Sequence, residues 1–223
     1  MRLNKYIAQA TGISRRAADA LITNRRVRVN GQVASVGTNV EGSDSVKLDG
    51  KTVQQPEKTF VTIILNKPAG YVSSRRGQGS KTVYDLLPAK YHILKTVGRL
   101  DKDSSGLLVL TNDGQLAHRL THPRYQKTKQ YEVALNRPLT AEDQSKIERG
   151  VLLNDGLSAL ALQTIGKGRR TWHISMQEGR NRQIRRTFDA LGYSVTTLHR
   201  TDFGPYSLDL LPAGEQYREV AGV

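Results

Sequence analysis

Residues 98 to 114 read GRLDKDSSGLLVLTNDG. Here one acid, Asp101, stands between Arg99 and Lys102, and the small residues Ser104, Ser105 and Gly106 lead into the apolar run Leu107 to Leu110. Two chemistries fit such a carboxylate. It can be a turn residue whose side chain caps the backbone, or a reactive group held between two apolar strands. A second stretch, EGRNRQIRR (178–186), carries four arginines in nine residues. Read as the start of a helix, it puts Arg182, Arg185 and Arg186 on one face, where like charges repel at the positive end of the helix dipole. Local stability does not account for that arrangement, so an anion is expected nearby, either RNA phosphate or a buried carboxylate. If the anion is Asp101, a neighbouring guanidinium keeps it ionised and oriented as a nucleophile. Tyr131, in Lys129-Gln130-Tyr131, opens an alternating strand. It either packs there or stacks on a base drawn out of an RNA helix, a contact worth roughly 1–3 kcal/mol.

Composition narrows the chemistry. The 223 residues include 34 Lys and Arg against 20 Asp and Glu, a net charge of +14, with 37% hydrophobic residues. A folded protein with a polyanionic partner is expected, with nucleic acid ahead of a membrane surface. The sequence shows no long apolar span and no apolar signal core, so a cytoplasmic location without membrane contact is expected. There is no Cys, which excludes disulfides, zinc knuckles and thiol nucleophiles. The five histidines lack metal-ligand spacing, and neither a GxxxxGK[ST] loop nor a GxSxG elbow is present. No metal is expected.

These groups need elements to hold them. LNKYIAQA reads as a helix ended by Thr11-Gly12, with Leu3 and Ile7 on one face. Ser14 caps a second helix, RRAADALIT, packing through Ala17, Ala18, Leu21 and Ile22. VRVNGQVA and VKLDGKTV read as hairpins about Asn-Gly and Asp-Gly. Within residues 1 to 30, Arg2, Lys5, Arg15, Arg16, Arg25, Arg26 and Arg28 face one acid, Asp19. That imbalance points to a phosphate-binding face rather than a merely solvated one. Residues 1–57 thus form an RNA-binding module, and QQPEK (54–58) reads as a linker.

Residues 58–223 form a second domain. TFVTIILN, TVGRLD, GLLVLTND, KQYEVALN, LSALALQTI, TWHISM and YSVTTLHR read as strands. GQLAHRL, TAEDQSKIERG and EGRNRQIRRTFDALG read as helices, the second opened by a capping box of Thr140 and Asp143. Without strict βαβ alternation, this is α+β with a mixed sheet.

Taken together, GRLDKDSSGLLVLTNDG, NKPAG, KQYEV and EGRNRQIRR resemble the RsuA/RluB/RluE/RluF group of bacterial rRNA pseudouridine synthases. RLNKYIAQATGISRRAADALITNRRVRVNG resembles the small RNA-binding module, named after a ribosomal protein of the small subunit, that often precedes them. The match covers nearly the whole chain. The resemblance implies a mixed-sheet catalytic domain with flanking helices that isomerises uridine to 5-ribosyluracil without metal or cofactor. It makes Asp101 the catalytic carboxylate, Tyr131 the residue stacked on the target uracil, and Arg185 the base paired with Asp101. Lys67 and Arg99 then line the RNA cleft, and Lys129, Arg180 and Arg182 join the RNA-binding residues. The partner is ribosomal RNA or a pre-ribosomal particle, engaged by a monomer, and the RN of EGRNRQIRR looks more like members acting on large-subunit rRNA. Two rival readings are a non-catalytic RNA-binding or assembly factor, which has no use for the Asp101, Tyr131 and Arg185 trio, and a nuclease, which normally needs paired carboxylates or metal ligands.

Overall fold

The computed structural model describes residues 1–54 and 59–222, so most of the stretch read as a linker lies outside the described residues. The chain divides into two compact units, Met1–Thr59 and Phe60–Val223.

In the first unit, α1 (Leu3–Thr11) stops at Gly12, whose φ of 76° is left-handed, and α2 (Arg15–Thr23) starts where the Ser14 hydroxyl accepts the Ala17 N–H. Four short strands follow: β1 (Val27–Val29), β2 (Gln32–Val33), β3 (Val46–Leu48) and β4 (Lys51–Thr52), ordered β2-β1-β3-β4. Both hairpin turns have positive φ at their two central residues, Asn30-Gly31 and Asp49-Gly50, as the right-handed strand twist requires. Leu3, Ile7, Ala18, Ile22, Val27, Val40 and Val46 form the core, whereas Ala17 is exposed.

The second unit is built on a nine-stranded sheet. Its elements are β5 (Thr62–Lys67), β6 (Lys95–Val97), β7 (Ser105–Thr111), α3 (Gly114–Thr121), β8 (Lys129–Leu135), α4 (Ala141–Arg149), β9 (Val151–Leu153), β10 (Gly156–Ser158), β11 (Ala161–Ile165), β12 (Thr171–Met176), α5 (Gln183–Asp189), β13 (Val195–Phe203), β14 (Tyr206–Ser207) and β15 (Tyr217–Val220). The main path runs β11-β12-β8-β13-β7-β5-β15, with β6 on β7 and β14 on β13, while β9 and β10 pair separately. The β7–β13 pair is parallel and the other pairs are antiparallel. Ile63, Ile64 and Leu65 in β5 and Leu107 to Leu110 in β7 are all fully buried, so these strands pack on both faces and read as continuous apolar runs. One face holds Leu65, Leu108, Val133, Trp172, Ile184 and Phe188. The other holds Ile64, Val109, Leu116 and Leu120.

Several sequence expectations are corrected. TVGRLD is a strand only to Val97, because Gly98 turns with φ 70°. EGRNRQIRRTFDALG is helical only from Gln183, because Arg182 takes a left-handed φ of 48°. Arg182 therefore does not share a helix face with Arg185 and Arg186. LSALALQTI divides between β10 and β11. At α4 the Thr140 hydroxyl accepts the Asp143 N–H as expected, but the Thr140 N–H donates to Tyr193 Oη rather than to Asp143.

Gly106 fixes the approach of β7 to β13. Its φ is 102°, and a Cβ there would lie 2.2 Å from the Arg200 carbonyl oxygen. A side chain would have to part the two central strands. Gly106→Ala is expected to destabilise the protein by at least about 3 kcal/mol, read by denaturant unfolding.

Candidate active site

The sheet face under α5 forms the floor of a cleft of about 770 Å³. Strand register builds that floor row by row. Ile174, Tyr131 and Arg200 are opposed across β12, β8 and β13, and Met176, Lys129 and Phe203 form the adjacent row. Tyr131 is 7% exposed, lines the cleft, and carries a hydroxyl with no hydrogen-bond partner among the described residues. Lys129 donates to the carbonyls of Gln177 (3.1 Å) and Glu178 (3.0 Å), and burial lowers its pKa, with Arg200 adding to the effect.

Asp101 sits on the wall of this cleft, in the turn between β6 and β7. The turn is closed by the backbone, Ser104 N–H to Asp101 C=O at 3.1 Å. The carboxylate is half-buried and faces Arg182 Nη1 at 3.8 Å. Thus Asp101 occupies a turn, as the first reading of it expected, but its side chain is left for the cleft.

The expected Arg185–Asp101 pair is not formed. Arg185 is buried behind the turn, where it donates to the carbonyls of Val195 (2.8 Å) and Asp103 (3.1 Å) and stands 3.3 Å from the Asp103 carboxylate. Asp103 also receives a two-pronged hydrogen bond from Arg182, both contacts at 3.1 Å. Burial works to raise the Asp103 pKa. The Arg182 hydrogen bond and the charges of Arg185 and Arg182 outweigh it and hold the carboxyl below its ordinary range. The sequence reading missed Asp103, although it lies two residues beyond Asp101 in the same motif. It also missed Arg200, whose only signal is that period two puts it with Leu198 on one strand face.

The remaining basic residues separate into committed and free groups. Arg99 is exposed on the cleft. Arg180 lines it too, but its guanidinium is engaged by Asp155, the Gly156 and Leu157 carbonyls and Glu178. Arg182 is engaged by Asp103 as described. In the first unit Arg2, Arg15, Arg16, Arg25, Arg26 and Arg28 are exposed and Lys5 is half-buried. Arg26 pairs with Asp49 through two contacts, and Arg2, Arg15 and Arg28 donate to Gly37 O, Asn4 Oδ1 and Gly31 O. Among the described residues, Arg16 and Arg25 have no such partner.

Lys67 contradicts its expected place on the RNA cleft. It is fully buried, and Nζ donates to the carbonyls of Ser104 (2.6 Å) and Pro68 (3.0 Å), beneath the turn that carries Asp101. Burial pushes its pKa from 10.5 down to about 8, against the opposing charges of Asp101 and Asp103. The unfolded chain then holds the proton longer than the folded one. The resulting penalty is fully present below pH 8 and is relieved as pH rises from about 8 towards 10.5. Over that range the unfolding free energy of the wild type should gain about 3 kcal/mol relative to Lys67→Met. Denaturant titrations of both proteins at several pH values would show it, and a constant difference would refute it.

Comparison with known proteins identifies the family. Residues 61–190 match the family model of RNA pseudouridylate synthase, and residues 1–46 match the S4 domain. The "Ribosomal large subunit pseudouridine synthase B" of Bacillus subtilis is 38% identical over 221 residues, 96% of this chain and 90% of that protein. The protein of the same name from Pseudomonas aeruginosa is 37% identical over 232 residues, and the chain spans 59% of its length. A crystal structure of a pseudouridylate synthase superposes with a TM-score of 0.68 at 30% identity, covering 99% of this chain and 96% of the other. The chain therefore belongs to the RNA pseudouridylate synthase family and carries an S4 domain ahead of the synthase domain.

Proposed function

We propose that this synthase acts on a uridine of large-subunit ribosomal RNA, with Asp101 as its catalytic carboxylate. The observation that carries the reading is a half-buried aspartate, 3.8 Å from an arginine, that shares one basic cleft with a tyrosine whose hydroxyl has no hydrogen-bond partner among the described residues. The relatives' names support the substrate. In the reaction the N1–C1′ glycosidic bond breaks, the uracil turns, and C5 bonds to C1′. N1 gains a proton and C5 loses one. The exchange is redox-neutral and releases no group, so acid–base and nucleophilic chemistry suffice.

Each residue then has a task. The target base leaves its stack to be reached, and Tyr131 provides the surface that receives it. Asp101 acts at the nucleotide, with the Arg182 guanidinium 3.8 Å from its carboxylate. Arg185 is a positioning residue: through Asp103 and Val195 it fixes the turn that presents Asp101. Residues 58–223 carry the chemistry and residues 1–57 hold the RNA. The enzyme works as a cytoplasmic monomer on ribosomal RNA or a pre-ribosomal particle.

Asp101→Asn keeps the shape and removes the charge. It is expected to lower pseudouridine formation at saturating RNA by at least about 10²-fold, with RNA affinity nearly unchanged. Activity close to wild type would remove Asp101 from the mechanism.

The module is tested by its free cations. Replacing Arg16 and Arg25 together with Gln should flatten the plot of log K against log salt by about 0.7–0.9 for each phosphate no longer neutralised. The same change at Arg26, already paired with Asp49, should do less. Equal slopes for the double variant and the wild type would mean that this face does not meet RNA.

A further inference from the structure

Arg200 is a buried cation without an anion. It is 2% exposed, on the cleft floor beside Tyr131. Its Nε donates to the Leu107 carbonyl at 2.8 Å, and its Nη2 is buried with no hydrogen-bond partner. Two other buried guanidinium nitrogens also lack a hydrogen bond, but each faces a carboxylate: Arg180 Nε lies 3.2 Å from Glu178, and Arg185 Nε lies 3.3 Å from Asp103. No carboxylate stands within ion-pair distance of Arg200 among the described residues.

Lys129, half-buried beside it, also has no carboxylate within ion-pair distance among the described residues. Its Nζ donates to two carbonyls, which take two of its three hydrogens and leave its charge unbalanced. The two cations flank one ring, with Lys129 Nζ 5.4 Å and Arg200 Cζ 4.9 Å from the centre of Phe203. An aromatic face attracts cations but supplies no net negative charge. A buried guanidinium and a half-buried ammonium side by side without a counter-ion are unfavourable in the free protein, and a ligand of opposite charge relieves the cost. Uracil is neutral and cannot supply it. A phosphodiester can, and a guanidinium and an ammonium are the groups that recognise one.

We propose that Arg200 and Lys129 form a phosphate subsite on the cleft floor, which grips the RNA backbone beside the nucleotide displaced onto Tyr131. The proposal rests on the reading of this cleft as the uridine-binding site. Arg200 then anchors the strand by its charge while Asp101, on the cleft wall, remains unpaired with it.

The test uses the full chain and two short uridine oligomers, one with ordinary phosphodiesters and one with a neutral methylphosphonate backbone. On the ordinary oligomer, Arg200→Met and Lys129→Met should each flatten the slope of log K against log salt by about 0.7, and Arg200→Lys should restore it. On the neutral oligomer, wild type and Arg200→Met should bind alike. Folded Met variants with the wild-type slope would overturn the proposal. So would an Arg200→Met loss of the same factor on both oligomers, which would indicate a base contact. Should Arg200→Met fail to fold, Lys129→Met decides by the same criteria. Pseudouridine formation by the wild type is scored separately, so failure of the catalytic reading is not confused with failure of this one.

Discussion

Asp103 holds two arginines at once, and the cleft takes its form from that fact. One carboxylate receives Arg182 from the turn before α5 and faces Arg185 from within the helix. It thereby ties the turn after β6 to the helix that covers the sheet. Truncating such a carboxylate would leave two guanidinium groups facing each other, and one of them is buried. Repulsion and desolvation would then act together. Arg182 reaches within 3.8 Å of Asp101 because Asp103 already holds it there. Beneath the same turn, the Lys67 ammonium bonds the Ser104 carbonyl. Cations thus support this acidic turn from two sides.

The net charge of +14 is accordingly divided between two uses. In the synthase domain, the arginines of EGRNRQIRR are matched internally: Arg180 and Arg186 by Asp155, Arg182 and Arg185 by Asp103. These residues build the site rather than advertise it. The charge left for a polyanion resides in Arg99, Lys129 and Arg200 around the cleft and in exposed residues such as Arg16 and Arg25 of the S4 domain. A basic run read from sequence therefore overstates the local RNA-binding surface, because it does not show which carboxylates come back to meet it.

Much of the fold was legible for local reasons. Asn30-Gly31 and Asp49-Gly50 specify their hairpins within a few residues, and Ser14 and Thr140 announce their helices by capping. The placement of Asp101 and Tyr131 in one cleft followed from motifs whose spacing is specific. What stayed hidden depends on distant partners. Arg182 leaves the helix because it bonds Asp103, 79 residues away. Lys67 reads as a surface base, yet it is buried because the acceptors under the turn need a donor. Arg200 reads as one more strand arginine until register sets it beside Tyr131. The strand β15 gave no signal, since its pairing with β5 is a matter of topology rather than of local pattern.

The parallel pairing of β7 with β13 has a consequence for how the molecule comes into being. His199 meets Ser105, and Arg200 meets Gly106, across more than ninety residues of intervening chain. Contacts of that range form late and slowly, because the loop must close before it is rewarded. The cleft draws on residues as far apart as Gly98 and Phe203. During synthesis the S4 domain can emerge and fold while the synthase sheet still lacks its central partner. A nascent chain would therefore be competent to hold RNA well before it could alter a base, and recognition would precede catalysis in the life of each molecule.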